Sequence, residues 1–223
     1  VAVPGPERAG PADDLKVVHR HRRFAGVGQL KGDGAGCVDP PQAEIDRIRS
    51  FFPAPDLAAR PFDAAAHDRA RTADPEFARW VKNNLNPHKN DDYVSVTVSL
   101  KPIGKTPGDV SHQQMDLLAD MADRFGNGEL RVTHEQNIVL PHIAKADLYD
   151  LYRELDTVEL TTANIGKITD IICCPGLDYC SLANARSIPL AQDISNRFAD
   201  AAYSDKIGDL SIKMSGCINA CGH

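Results

Sequence analysis

Val94-Ser-Val-Thr-Val-Ser-Leu100 alternates apolar and polar residues without a break, the period of a strand with one buried face. Lys101-Pro102 ends the run, and Gly104 to Gly108 read as loop. Ser111-His-Gln-Gln114 has the form of a capping box, its hydroxyl and amide each satisfying a free N–H at a helix start. The helix that follows carries Met115, Leu118, Ala119, Ala122 and Phe125 at helical spacing and stops at Gly126. Glu129 to Thr133 and Asn137 to Leu140 read as a hairpin pair of strands. Ala146 to Leu155 reads as a second amphipathic helix, through Leu148, Leu151, Tyr152 and Leu155. The order β-α-β-β-α predicts a ferredoxin-like α+β unit over residues 91–160.

Upstream, residues 46–90 read as a helical linker. Ala43 to Phe52 places Ile45, Ile48 and Phe52 on one helical face, a proline-spaced stretch runs from Pro53 to Pro61, and Pro75 to Asn83 forms a short helix with Phe77, Trp80 and Val81 as its apolar side. Asn86-Pro87-His88-Lys89 reads as a turn. Residues 1–45 are rich in Gly and Pro with no sustained period. Gly26-Val-Gly28 and Gly32-Asp-Gly34-Ala-Gly36 fit neither phosphate-loop pattern, so a flexible segment is expected, with His19 to Arg23 a solvated basic run. Downstream, Ile165 to Cys174 is an apolar strand-like run. Ser181 to Ala202 is mostly helical, with Pro189 either breaking it or starting a turn within it, and Leu210, Ile212 and Met214 alternate as a last strand.

Composition excludes several classes. A chain of 223 residues with 42% hydrophobic and 25% charged residues is one large domain or two small ones. No apolar run approaches the roughly 18 residues of a membrane span, and the start lacks the charged-then-apolar pattern of a secretory signal. A cytoplasmic protein with no membrane partner is expected. A net charge of −6 and 6% aromatic residues argue against a nucleic-acid partner.

Five of the six cysteines, Cys173, Cys174, Cys180, Cys217 and Cys221, fall in the last quarter of the chain. Without an export signal, such clustering points to metal or redox chemistry rather than disulfides. Cys174-Pro-Gly-Leu-Asp-Tyr-Cys180 is C-x5-C and Cys217-Ile-Asn-Ala-Cys221 is C-x3-C. Four thiolates in two close pairs suit an iron–sulfur cluster. Structural zinc also uses four cysteines, with shorter spacing inside each pair, and an unligated set is the third reading. Cys173 is out of register and reads as a buried neighbour, and Cys37 matches nothing in the pattern.

The segment Asp170-Ile-Ile-Cys-Cys-Pro-Gly-Leu-Asp-Tyr-Cys-Ser-Leu-Ala-Asn-Ala-Arg186 and the ending Ser215-Gly-Cys-Ile-Asn-Ala-Cys-Gly-His223 closely resemble the sirohaem-dependent nitrite and sulfite reductases. Pro87-His-Lys89, Ser99-Leu-Lys-Pro102, Glu129-Leu-Arg-Val-Thr-His-Glu-Gln-Asn137 and Thr162-Ala-Asn-Ile-Gly166 are similar to the same family, so the resemblance covers about residues 75–223. It implies that Cys174, Cys180, Cys217 and Cys221 hold a 4Fe–4S cluster and that Cys221 also ligates the iron of sirohaem. It implies six-electron reduction of sulfite to sulfide or nitrite to ammonia, with ferredoxin or a flavoprotein reductase as donor. Arg131, Gln136 and Asn137 fall where this family approaches the tetrapyrrole, whose carboxylates call for charged and amide donors. Asn219 is either a contact to sulfur or cofactor or a turn former. Arg186, Lys213, His134 and His223 are weaker candidates.

The family has two related halves, and residues 1–45 do not resemble the first. The chain is therefore expected to be a second-half fragment, with residues 161–223 an incomplete α/β sirohaem and 4Fe–4S domain. Other readings remain: a cobalamin-pathway oxygenase with the same signature, a non-catalytic iron–sulfur electron-transfer module, a zinc-stabilised structural domain, or an inactive truncated product.

Overall fold

A computed structural model of the chain describes residues 41–223. The expectations for the first 40 residues, including the glycine-rich stretches, the His19 to Arg23 run and Cys37, lie outside the described residues. The chain divides into two units at Pro53. The described part of the first holds helix α1 (Gln42–Arg49), which buries none of its residues and carries an Arg47–Glu44 ion pair at 2.7 Å. Ile48 and Phe52 are exposed, so the predicted apolar face is present in sequence and has no cover among the described residues of that unit.

In the second unit, two helices with aspartate caps precede the sheet. Asp63 accepts the Ala66 N–H at the start of α2 (Ala64–Ala73), which the periodicity did not predict. Asp74 accepts the Phe77 N–H at the start of α3 (Pro75–Asn84), where Pro75 takes the first turn and needs no partner for its nitrogen. Helix α3 turns Phe77 and Trp80 fully into the core.

The sheet has the strand order β1-β2-β4-β3, all antiparallel, formed by β1 (Leu85–Pro87), β2 (Tyr93–Val98), β3 (Arg131–Val132) and β4 (Ile138–Ala144). Helix α4 (His112–Phe125) follows β2, and α5 (Leu148–Asp156) follows β4. Both bonds of the Ser111–Gln114 capping box are made. The predicted β-α-β-β-α order and the α+β class therefore hold. The fourth sheet position, beside β2, is filled by β1, part of which had read as a turn. Its three residues pair Leu85 with Val96 and Pro87 with Val94, and the turn begins only at His88. Val96, Val98, Leu118, Met121, Leu140, Ile143, Leu151 and Leu155 share one core with Phe77 and Trp80.

Strand β2 differs from its expectation in being covered on both sides. Thr97 and Ser99 are buried, the Thr97 hydroxyl accepting from Asn86 Nδ2 at 3.0 Å and the Ser99 hydroxyl donating to Asn164 Oδ1 at 2.6 Å. Polar residues tolerate that burial because each finds a partner. Between Val94 and Val96 the β2–β4 register slips by one residue, opposite Pro141 and His142. A bulge there accommodates the proline, which has no N–H for the ladder.

The remainder is irregular with short elements. The expected strand over 165–174 shrinks to β5 (Ile172–Cys173), because residues 165–169 turn at Gly166, whose φ is +73°. Helix α6 (Ile188–Arg197) has Pro189 in its first turn rather than at a break, and α7 (Ala201–Ile207) starts at the Asp200 cap. The last strand, β6 (Lys213–Met214), lies parallel to β5. Ile171, Cys173, Ile188 and Ala191 form a second, smaller core beneath this pair. No helix among the described residues is long and apolar enough to cross a membrane.

Candidate functional site

The β5–β6 pair delivers the two cysteine motifs side by side. Cys173 pairs with Met214, and the Cys174 N–H donates to the Met214 carbonyl at 3.0 Å. Beyond the strands, the loop after Cys174 and the loop after Ser215 are stitched together by backbone bonds. Asn184 and Ala185 N–H both donate to the Gly216 carbonyl, at 2.8 and 3.1 Å. Gly216 N–H donates to Cys174 Sγ at 2.9 Å.

Glycine makes this closeness feasible. A Cβ on Gly216 would lie 2.8 Å from the Ala185 carbonyl oxygen and 3.0 Å from the Gly176 Cα. A Cβ on Gly176, at φ +58°, would lie 2.7 Å from Ser187 Oγ, and one on Gly222 would run into the Met214 carbonyl oxygen. Backbone contact of this kind is open only to residues without a side chain.

The four motif thiols differ in exposure: Cys174 is buried, Cys180 and Cys217 are half-buried, and Cys221 is exposed. Burial alone would raise the Cys174 thiol, but hydrogen bonds from the Ser187 hydroxyl and from the Gly216 and Gly176 backbone outweigh it and lower the pKa. Cys173 is 3% exposed, and burial with the neighbouring Cys174 and Asp178 pushes its thiol up to about 11. The adjoining loops do not gather their thiols into one set. Among the described residues no three His, Cys, Asp or Glu side chains are placed to hold a metal ion. The donor chemistry and the apposed loops fit a four-thiolate cluster.

The other sequence candidates fall in different surroundings. Arg131 is exposed on the edge strand and its Nε donates to Glu129 at 2.6 Å, a bond that holds the Glu129 carboxyl below its usual range. Gln136 is not free: its Nε2 donates to the Cys173 carbonyl and its Oε1 accepts the Cys173 N–H, both at 2.8 Å. Asn137 is 1% exposed, accepting from Leu100 N–H at 3.1 Å and donating to Asp170 at 3.2 Å. Asn219 and Lys213 are exposed, His134 is largely so, and Arg186 pairs with Asp178 at 3.0 Å.

Sequence reading missed two groups. Lys101, 2% exposed, donates to Asp170 at 2.6 Å and to the Glu135 carbonyl. The available signal was Asp170 itself, the single acidic residue within the apolar run Ile165 to Cys174. The second group is a chain of bonds across the sheet. Asn90 N–H donates to His88 Nδ1 (2.9 Å), His88 Nε2 faces His142 Nδ1 (3.1 Å), and His142 Nε2 faces Glu129 (3.4 Å). One tautomer satisfies every link, with His88 Nε2–H and His142 Nε2–H as donors. No periodicity marks these residues, and His142 lies at the β2–β4 register shift, opposite Ser95.

Residues 86–158 match the family described as the nitrite/sulfite reductase ferredoxin-like half domain. A chloroplastic ferredoxin–nitrite reductase of Zea mays is 30% identical over 166 residues, covering 70% of this chain and 27% of that protein. A ferredoxin–nitrite reductase of Synechococcus elongatus is 29% identical, covering 67% and 28%. A sulfite reductase [ferredoxin] of Mycobacterium tuberculosis is 26% identical, covering 76% and 27%. The chain thus spans about a quarter of the length of these curated relatives. The solved structure of the Mycobacterium tuberculosis NirA protein superposes with a TM-score of 0.51 at 24% identity, covering 77% of this chain and 28% of that one, a likeness of fold.

Proposed function

Since residues 86–158 belong to the nitrite/sulfite reductase ferredoxin-like half-domain family, we propose that the chain serves a cytoplasmic reductase that converts sulfite to sulfide or nitrite to ammonia. The observation that carries this reading is the apposition of Cys174-Pro-Gly-Leu-Asp-Tyr-Cys180 and Cys217-Ile-Asn-Ala-Cys221 through glycine contacts at Gly176 and Gly216. In this reading residues 91–160 are the half-domain, and 161–223 carry the cofactor ligands.

Cys174, Cys180, Cys217 and Cys221 would hold a 4Fe–4S cluster, with Cys221 shared with sirohaem iron. When bound, these groups supply one-electron storage and a metal site for the substrate. The chain's own contribution is polar and positional. Gly216 N–H, already on Cys174 sulfur at 2.9 Å, stabilises thiolate charge there. Cys221, the most exposed of the four, is the thiol with room for a second partner. Arg131 would leave its exposed Glu129 partner for a cofactor carboxylate, and Asn219 would donate to sulfur or cofactor. Gln136 and Asn137 would serve by holding Cys173 and Asp170 in place.

Sulfite takes up six electrons and seven protons to give hydrosulfide and three waters. Nitrite takes up six electrons and eight protons to give ammonium and two waters. Reduced ferredoxin or a flavoprotein reductase is the proposed donor. The test is to produce the chain with sirohaem synthesis, record the anaerobic spectrum, and assay sulfide and ammonium with reduced ferredoxin. Tetrapyrrole bands with product from either anion support the reading. Neither bands nor product would reject it.

A second reading has one observation in its favour. Gln136 and Asn137 spend their amides internally, and Arg131 and Arg186 are each ion-paired. An electron-transfer module holding a cluster without a tetrapyrrole would give iron and sulfide in the same preparation and no sirohaem spectrum.

A further inference from the structure

The backbone that leads into Cys174 is held from the half-domain by directed polar bonds rather than by apolar packing alone. Lys101, just beyond β2, buries its ammonium and donates to Asp170 Oδ1 at 2.6 Å and to the Glu135 carbonyl. Asn137 donates to the same carboxylate oxygen at 3.2 Å, and the other oxygen accepts Gly166 N–H at 2.9 Å. Both carboxylate oxygens of Asp170 thus face a donor, a condition under which a buried charge pair is tolerated.

Three residues after Asp170, on β5 itself, Cys173 is clasped by Gln136 at both its N–H and its carbonyl. Gln136 takes φ +58° where it closes the β3–β4 turn, its N–H donating to the Thr133 carbonyl, and Gly108 yields the space beside it. Sliding β5 by one residue would exchange the faces of Cys173 and Cys174. The clasp holds the backbone at Cys173 against the half-domain, and the Lys101–Asp170 pair, made to a side chain, fits one register only.

We infer that Lys101, Gln136, Asn137 and Asp170 are positioning residues that fix the register and the electrostatic surroundings of the first cysteine pair. The inference rests on the cluster reading above for its electrostatic half, while its register half concerns the chain without iron. Lys101 and Asp170 together are neutral. Removing one leaves a buried charge of known sign near the strand that leads into Cys174, where solvent screens it poorly. An uncompensated anion disfavours the extra negative charge of a reduced cluster, and an uncompensated cation favours it.

The electrostatic test uses the full chain, reconstituted anaerobically with iron and sulfide, in the near-isosteric variants K101M and D170N. The cluster's midpoint potential is expected to fall in K101M, to rise in D170N and to return close to wild type in the K101M/D170N double variant. Shifts of the same sign in both single variants, or unchanged potentials at full iron and sulfide content, would overturn the inference. The register test needs no cluster. In Q136A without iron, hydrogen exchange at the Cys173 amide is expected to quicken by about tenfold, while the Leu140 amide inside β4 keeps its protection. Unchanged exchange at Cys173 overturns the clasp even if the single charge variants do not fold. A wild-type chain that takes up no iron rejects the cluster reading alone, and Q136A exchange then decides the register claim.

Discussion

Gly216→Ala tests the apposition of the two cysteine loops at its tightest point. The added Cβ would stand 2.8 Å from the Ala185 carbonyl oxygen and 3.0 Å from the Gly176 Cα, against an ordinary contact of 3.4 Å or more. Both obstacles are backbone, so no rotamer change relieves them, and the loops must part by about half an ångström to restore normal contact. That movement stretches three bonds at Gly216: its N–H to Cys174 Sγ, and its carbonyl to the Asn184 and Ala185 N–H groups. Overpacking costs about 1–3 kcal/mol and each lost hydrogen bond about 1 kcal/mol net. The local structure is therefore expected to weaken by about 2–4 kcal/mol. Hydrogen exchange at the Asn184 and Ala185 amides reads this directly, and a gain of roughly 30-fold or more is expected. Gly166→Ala is the control, since no atom lies within 4 Å of its Cβ position and φ is +73°. It costs about 1–2 kcal/mol through backbone conformation alone and should leave Asn184 and Ala185 untouched. Exchange at those two amides within about threefold of wild type in G216A would refute the argument that glycine contact holds the loops together.

Three further outcomes follow from the packing and the titrating groups. Burial lowers the pKa of His67 and of His142, and for His142 the opposing Glu129 does not offset burial, His88 and Arg131. Both then bind protons less readily folded than unfolded, so their contribution is complete above the ordinary value of 6.5 and is lost as pH falls below it. Urea midpoints should drop between about pH 7.5 and 5, and a flat or rising profile would contradict this. Phe77→Ala removes a fully buried ring packed on Trp80, Tyr149 and Tyr152 and should cost about 3–5 kcal/mol, followed by the fluorescence of the single tryptophan. A loss under about 1 kcal/mol would show that this core is not as packed as described. Among the five cysteines of the described residues, in the iron-free chain at neutral pH, iodoacetamide should modify exposed Cys221 first and Cys173, buried with its thiol pushed up to about 11, last. The reverse order would contradict the placement of the two thiols.

What the sequence made legible was what local chemistry dictates. The Val94 to Leu100 alternation, the Ser111–Gln114 box and the Leu148, Leu151, Leu155 stripe each stabilise their own element, and all three appear where the pattern puts them. Strand β1 was hidden because three residues carry no period, and its pairing with Val94 to Val96 is purely tertiary. Thr97 and Ser99 looked solvent-facing because burial of a hydroxyl depends on partners such as Asn86 and Asn164, distant in sequence. Lys101 and Asp170 lie 69 residues apart, so the lone acidic residue in the apolar run signals a buried charge but not its partner. For the candidate site, cysteine spacing identified the two loops, and Gly176 and Gly216 explain how they meet. The direction in which each thiol points depends on side-chain torsions that spacing does not encode. Gln136 and Asn137 were read as cofactor donors by their place in a motif, whereas the fold commits their amides to Cys173 and Asp170.

The most direct test of the central claim is anaerobic iron and acid-labile sulfide analysis of the full chain beside its Cys180→Ser and Cys217→Ser variants, with zinc measured in the same samples. The account predicts about four irons and four sulfides per wild-type chain and a marked loss in both variants, one drawn from each loop. Zinc in place of iron, or equal metal content in wild type and variants, would contradict it.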